Sequence, residues 1–269
     1  MSADGSRAVM ELTDRLWQAE LDRVPIGPLS DSDPDLTVTA AYAIQTRNVE
    51  RRVAAGAVVR GRKVGLTSRP MQELLGVDEP DFGVLVDDMF VGEGDEIPFE
   101  LLVQPRVEAE IAFVMAADLA GPGVTTVNAL TAIGGVLPAI EVVDSRIADW
   151  RVRLADTVAD NASSGRVVVG SRLTRVTDVD LRLVGVLFHR NGVPIESGAG
   201  AAALGDPVRC LAWLANKLAE FGSGLLRGDL VLSGALHRMV PVRPGDVFRA
   251  DFAHLGSVTA RFSGRGGPA

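Results

Sequence analysis

The chain has 269 residues, 47% of them hydrophobic, 23% charged and with a formal net charge of −8, so it can bury a sizeable core and has the composition of a globular protein, not a disordered one. The acidic balance and the lack of a long basic cluster exclude an electrostatic footprint for nucleic acid. The single cysteine, Cys210, excludes an intrachain disulfide and fits a reducing compartment. No apolar run approaches the roughly 20 residues of a membrane span, and the opening MSADGSRAVMELTDRLWQAE lacks a signal-peptide core; the expectation is a cytoplasmic protein.

In chain order, Met10, Leu12, Leu16, Trp17 and Leu21 recur at helical spacing, and VPIGP breaks the pattern. A second helical pattern runs from about Leu36 to Ala55 and stops at Gly56. AVVRGRKVGLTS reads as a strand, RPMQELLGV as a short helix, and DEPDFGVLVDDM as a loop. Strand-like segments follow: RVEAEIAFVM, PAIEVVDSRI, GRVVVG, LRLVGVLFHRNGVPIESG, GDLVLSG and GDVFRADF. Asn191-Gly192 signals a hairpin, and VTTVNALTAIGG and PVRCLAWLANKLAEFG are later helices. There is no linker and no repeat. The pattern predicts one α+β domain over 1–269, with a helical N-terminal section (1–57) on a β-rich core (58–269).

Glu108 and Glu110 lie two apart in a run of strand formers, so both carboxylates share a face, opposite Val107, Ala109, Ile111 and Phe113. Taken alone, the pair reads as the solvated face of an edge strand. Glu141 sits within an apolar strand, where a lone carboxylate is costly. Three carboxylates on neighbouring strands make an all-oxygen site for a hard divalent ion such as Mg²⁺ or Mn²⁺; a salt bridge from Glu141 to Arg106 or Arg146 is the competing account.

The chain writes arginine almost everywhere, and Lys63 and Lys217 are its only lysines. A buried lysine shifts its pKa and exchanges a proton where arginine does not, whereas Lys217 reads as a stem along a helix with its charge in water. His189, His237 and His254 have no zinc-ligand spacing and read as structural or surface residues; Cys210 reads as a core thiol. The Gly/Ala-rich stretch 198–207 has no phosphate-loop context, and no nucleophile elbow or nucleotide motif occurs. ADTVADNASSG reads as a polar loop with turn or capping roles, a substrate-contacting loop being the alternative.

GRKVGLTS, MQELLGVDEPDFGVL, VQPRVEAEIAFV, PAIEVVDSRI, DTVADNASSGRVVVG, WLANKL and LVLSGAL stand in one order along the chain. In these motifs it resembles the 2-hydroxypentadienoate hydratase / 4-oxalocrotonate decarboxylase family of the fumarylacetoacetate-hydrolase-like superfamily. The resemblance implies a bent mixed β-sheet roll with surrounding helices. It further implies Mg²⁺ or Mn²⁺ on Glu108, Glu110 and Glu141, acid–base roles for Lys63 and Asp81, and a substrate-carboxylate contact from Ser163. The activity implied is a lyase adding water to a 2-hydroxy-2,4-dienoate in meta-cleavage breakdown of aromatic or steroid rings. A ring-like homo-oligomer and a pathway aldolase are the implied protein partners, with neither nucleic acid nor membrane. Decarboxylation of 2-oxo-3-hexenedioate, acylpyruvate-type hydrolysis through a His–Glu pair, and a non-catalytic pathway partner are the alternatives.

Overall fold

The computed structural model describes the backbone of residues 3–264 and, outside 3–6, 71, 74 and 75, their side chains. Three helices open the chain: α1 (Ala3–Asp22), the short α2 (Leu29–Ser32) and α3 (Val38–Ala54). α1 buries Val9, Leu12, Leu16 and Ala19 and leaves Met10 and Leu21 exposed, so its apolar stripe is narrower than the sequence suggests. α3 starts where the Thr37 hydroxyl accepts the Ala40 N–H, which satisfies a helix-end donor. It stops before Gly56, whose φ is +107°.

The remaining elements are β1 (Val59–Gly65), α4 (Arg69–Leu75), β2 (Asp81–Val86), β3 (Phe90–Val91), β4 (Glu96–Ile97), β5 (Pro105–Met115), α5 (Thr126–Ala132), β6 (Ile133–Asp144), α6 (Leu154–Ala159), β7 (Ser164–Val169), β8 (Gly185–Arg190), β9 (Val193–Ala199), α7 (Pro207–Ala219), β10 (Leu230–Leu232), β11 (Val240–Pro241), β12 (Val247–Phe252) and β13 (Gly256–Phe262). A mixed sheet runs β2-β1-β10-β5-β6-β7-β3, with β11 pairing beside β10 on β5. A second sheet, β4-β13-β12-β8-β9, lies against it through β12 and β13 on β6 and β7. Phe113, Phe188 and Phe248 are fully buried in a core that extends from Val9 to Phe262. The β8–β9 hairpin turns at Asn191 and Gly192, with φ of +53° and +80°, as the Asn-Gly signal requires. Among the described residues no helix is long and apolar enough to cross a membrane.

Two segments differ from the sequence reading. The stretch 78–89, expected as a loop, contains β2, all six residues of which are buried. A strand covered on both faces shows no alternation, so periodicity does not reveal it. Its inner edge pairs with β1. Its outer edge is closed by the Asn161 amide, which accepts from Val84 N–H at 2.8 Å and donates to Val84 O at 2.9 Å. The expected polar loop at 155–160 is largely α6, buried from Ala155 to Ala159. Its acids have internal partners, since Asp156 accepts from the Ser30 N–H at 2.9 Å and from the Ser30 hydroxyl at 2.7 Å. Polar composition signalled hydrogen bonding here, not exposure.

Candidate metal and proton-transfer site

β5 is a central strand, flanked by β10 and β6, which rules out the edge-strand reading of its two glutamates. Antiparallel pairing places Glu108 directly opposite Glu141, and Glu110 follows on the same face. One carboxylate oxygen from each of the three lies within 4.8 Å of the others. Glu110 and Glu141 are each 1% exposed, whereas Glu108 is half-buried. Burial, and then the Glu141 charge, push Glu108 up to about 8. Glu110 is driven well above the usual carboxylate range by burial and by both neighbours.

The remaining lone pairs decide what this cluster accepts. Glu110 Oε2 takes the Gly234 N–H at 2.7 Å, but both Glu141 oxygens are buried without a hydrogen-bond partner. Lys63 Nζ lies 3.3 Å from Glu141 Oε1, an ion-pair distance without hydrogen-bond alignment. Buried, unsatisfied, mutually repelling carboxylate oxygens are costly unless a cation satisfies them, so the residues fit a hard divalent ion. The competing salt bridges do not form: Arg146 pairs with Asp160 at 2.5 Å, and Arg106 stacks over Trp150 at 4.6 Å.

Lys63 reaches the trio because β1 pairs with β10, which pairs with β5: Lys63 faces Leu232, and Leu232 faces Ala112. The lysine is 4% exposed. Burial by itself lowers its pKa, but Glu141, Asp81, Glu110 and Glu108 outweigh that and hold the ammonium charged above its ordinary range. The shift expected for this lysine therefore runs upward.

Asp81 opens β2 opposite Gly65 of β1. Its Oδ2 accepts from the Thr157 hydroxyl at 3.1 Å, its Oδ1 has no partner, and burial raises its pKa. A Cβ at Gly65 would stand 2.2 Å from Asp81 Oδ1 and 3.5 Å from Lys63 Nζ, so both side chains lean across this glycine. Gly65→Ala is therefore expected to displace the Asp81 carboxylate and lower kcat roughly a hundredfold, the cost of about 1 Å of misplacement, with an unchanged circular dichroism spectrum. A wild-type kcat would show that Asp81 does not need this position.

Ser163 ends a turn in which Asn161, Ala162 and Ser163 have φ of +54°, +49° and +53°. Each such non-glycine residue costs about 1–3 kcal/mol, so the turn needs support. Asp160 supplies it, accepting from Ser163 Oγ at 3.1 Å, Ser145 Oγ at 3.2 Å and the Arg146 N–H at 3.1 Å. Burial lifts Asp160 to about 6 despite the Arg146 charge. The Ser163 hydroxyl thus faces Asp160, at the junction between the turn and β7.

Sequence reasoning missed Thr157, Gly65 and Gly234; each acts through a contact between segments distant in the chain, for which spacing carries no signal. Lys217 is not a charge in open water, because it bridges Glu79 at 3.3 Å and Glu220 at 3.1 Å. Cys210 is a fully buried core thiol. His189 lies 3.5 Å from Asp251. His237 reaches β5 with its ring: Nε2 accepts the Ala109 N–H at 3.0 Å and Nδ1 faces Arg238 O at 2.8 Å.

A carboxylate trio and a buried lysine on a bent mixed sheet define a class of metal-binding fold. Residues 38–263 match the model of the fumarylacetoacetate (FAA) hydrolase C-terminal family, and the chain belongs to that family. It is 50% identical over 252 residues, 94% of both chains, to the 2-keto-4-pentenoate hydratase of Paraburkholderia xenovorans strain LB400. It is 41% identical over 251 residues, 93% of this chain and 95% of the other, to the 2-hydroxyhexa-2,4-dienoate hydratase of Comamonas testosteroni. Among solved structures, it superposes on the 4-oxalocrotonate decarboxylase of Pseudomonas putida G7, complexed with magnesium and adipate. There the TM-score is 0.93 and the identity 39%, over 96% of this chain and 98% of that one.

Proposed function

We propose that this protein is a lyase, a divalent-metal-dependent hydratase that adds water to a 2-hydroxy-2,4-dienoate to form a 4-hydroxy-2-oxo acid in aromatic or steroid ring degradation. One observation carries the reading: a buried Glu108–Glu110–Glu141 set, faced by Lys63 and Asp81, in a chain that shares half its residues with a 2-keto-4-pentenoate hydratase. In this reading the three glutamates hold Mg²⁺ or Mn²⁺, which supplies Lewis-acid stabilisation of negative charge on the substrate.

Hydration requires two balanced pairs of proton transfers: the C2 hydroxyl of the dienol loses one as C5 gains one, and water loses one on attacking C4 as C3 gains one. Lys63 and Asp81 carry these transfers. The lysine is kept protonated by its carboxylate neighbours, and a cation on the three glutamates would offset the charge that holds its proton, so that it can donate. The aspartyl group has one oxygen oriented by Thr157 and one left bare, and burial raises its pKa, which suits it to hold and pass on a proton. Ser163 contacts the substrate carboxylate after its hydroxyl turns from Asp160. The chain acts as one catalytic domain over 1–269, a reading supported by a family match that crosses from the helical section into the β-rich core. A cytoplasmic setting, a ring-like homo-oligomer and an aldolase partner complete the picture.

One observation favours decarboxylation of 2-oxo-3-hexenedioate as the second reading. Arg106 lies two residues from Glu108 on the same face and is engaged by Trp150, with no ion pair among the described residues, so it could receive a second carboxylate. Hydrolysis through a His–Glu pair is disfavoured, because both ring nitrogens of His237 are already engaged by backbone. The test is a Mn²⁺-supplemented assay on 2-hydroxypenta-2,4-dienoate, its methyl homologue and 2-oxo-3-hexenedioate, with CO₂ detection. Loss of dienoate absorbance without CO₂ is the expected result; CO₂ release as the main activity would replace this reading with the decarboxylase.

A further inference from the structure

The β5 edge facing β10 and β11 has a gap at the site. β10 pairs with residues 112–114 of β5 and β11 with residues 106 and 107, which leaves 108–111 without a strand neighbour on that side. Residues 233–237 fill the gap irregularly. The Ser233 N–H donates to Ile111 O at 3.0 Å, the Gly234 N–H to Glu110 Oε2 at 2.7 Å, and the Leu236 N–H to Ala109 O at 3.0 Å. Two donors of that edge remain: the Ile111 N–H goes to the Ser233 hydroxyl at 3.3 Å, and the N–H of Ala109, between the two glutamates, is left without a partner from the loop backbone. Ala109 is fully buried, so no water reaches it.

We propose that His237 is a positioning residue for the metal-ligand pair: its Nε2 accepts the Ala109 N–H and so fixes the backbone from which Glu108 and Glu110 project. This rests on the reading of those glutamates as ligands. The ring is held for the purpose. Because Nε2 accepts the Ala109 N–H, the ring is the neutral tautomer with its proton on Nδ1, which donates to Arg238 O, and the ring packs on Phe188 with centroids 4.5 Å apart. An acceptor supplied by a side chain, where a strand would supply a carbonyl, lets the same loop also turn the Gly234 N–H onto Glu110. Gly234 makes that turn at φ +97°, against Thr67, where a Cβ would stand 2.3 Å from the Thr67 hydroxyl. Removing the acceptor orphans a buried amide next to both ligands, and the strand must shift to hydrate it.

The experiment is Mn²⁺ titration followed by the electron paramagnetic resonance signal of free Mn²⁺, on wild type, His237→Leu, His237→Gln and Glu141→Gln, each checked for folding by circular dichroism. His237→Leu is expected to weaken Mn²⁺ binding by about tenfold or more, the usual effect of losing an outer-shell partner. His237→Gln, whose amide oxygen reaches as far as Nε2, is expected to bind like wild type. If His237→Leu does not fold, His237→Phe, which keeps the stacking on Phe188, takes its place. Unchanged affinity in the folded apolar variant overturns the proposal, as does an equal loss in His237→Gln. Wild type that binds no Mn²⁺, or Glu141→Gln that binds as tightly as wild type, overturns the ligand reading itself and the inference with it.

Discussion

Exhaustive chelation, or Glu141→Gln, is expected to remove Mn²⁺ binding and to lower turnover at least about a hundredfold. A bound cation contributes several kcal/mol of transition-state stabilisation, and each 1.36 kcal/mol is about tenfold in rate. Glu141 is the most informative of the three proposed ligands to change, since both of its oxygens are buried and without hydrogen bonds; the amide is isosteric but brings a buried N–H₂ to where a cation would sit. The same chemistry predicts how stability follows pH. Burial and Glu141 raise Glu108 to about 8 in the folded protein, above its ordinary unfolded value, so between these the native state binds more protons than the unfolded one. Stability of the metal-free protein therefore falls as pH rises through this window. Mn²⁺ competes with those protons, so it should raise Tm more at pH 8 than at pH 6. Calorimetric scans with chelator and with Mn²⁺ read both effects, and full turnover after exhaustive chelation would falsify the metal assignment.

Lys63→Arg is expected to retain Mn²⁺ binding and lower kcat by about a hundredfold to ten-thousandfold, the range for a lost proton-transfer group. The substitution keeps the positive charge that Glu141, Asp81, Glu110 and Glu108 demand, so the electrostatic support of the site survives. What it loses is a proton that can leave, because a guanidinium stays protonated, and the compact ammonium that fits a position 4% exposed. Steady-state kinetics on the dienoate, with metal affinity measured in parallel, separate the two contributions. A kcat near wild type would remove Lys63 from proton transfer and leave it as a counter-charge.

Much of the outline was legible in the chain. Alternation in RVEAEIAFVM put Glu108 and Glu110 on one face, Asn-Gly marked the β8–β9 turn, and PVRCLAWLANKLAEFG marked α7. Where the reading failed, burial was the reason. DFGVLV has no polar face because β2 has no solvent face, and the acids of 155–160 are satisfied inside the protein by Ser30 and Arg146, not by water. The motifs carried the family resemblance to MQELL as well, although the side chains of Met71, Leu74 and Leu75 lie outside the described residues.

By itself, then, the sequence determined which side chains were candidates: a same-face glutamate pair, a third glutamate in an apolar strand, and a lysine kept in an arginine-rich chain. Only the tertiary structure decided that they meet. The pairing of Glu108 with Glu141, the route from Lys63 through β10 to β5, and the lean of Asp81 over Gly65 all depend on strand order and register. These are non-local choices, settled by which apolar faces can be buried together, and a one-residue slip would turn every carboxylate to the other side of the sheet.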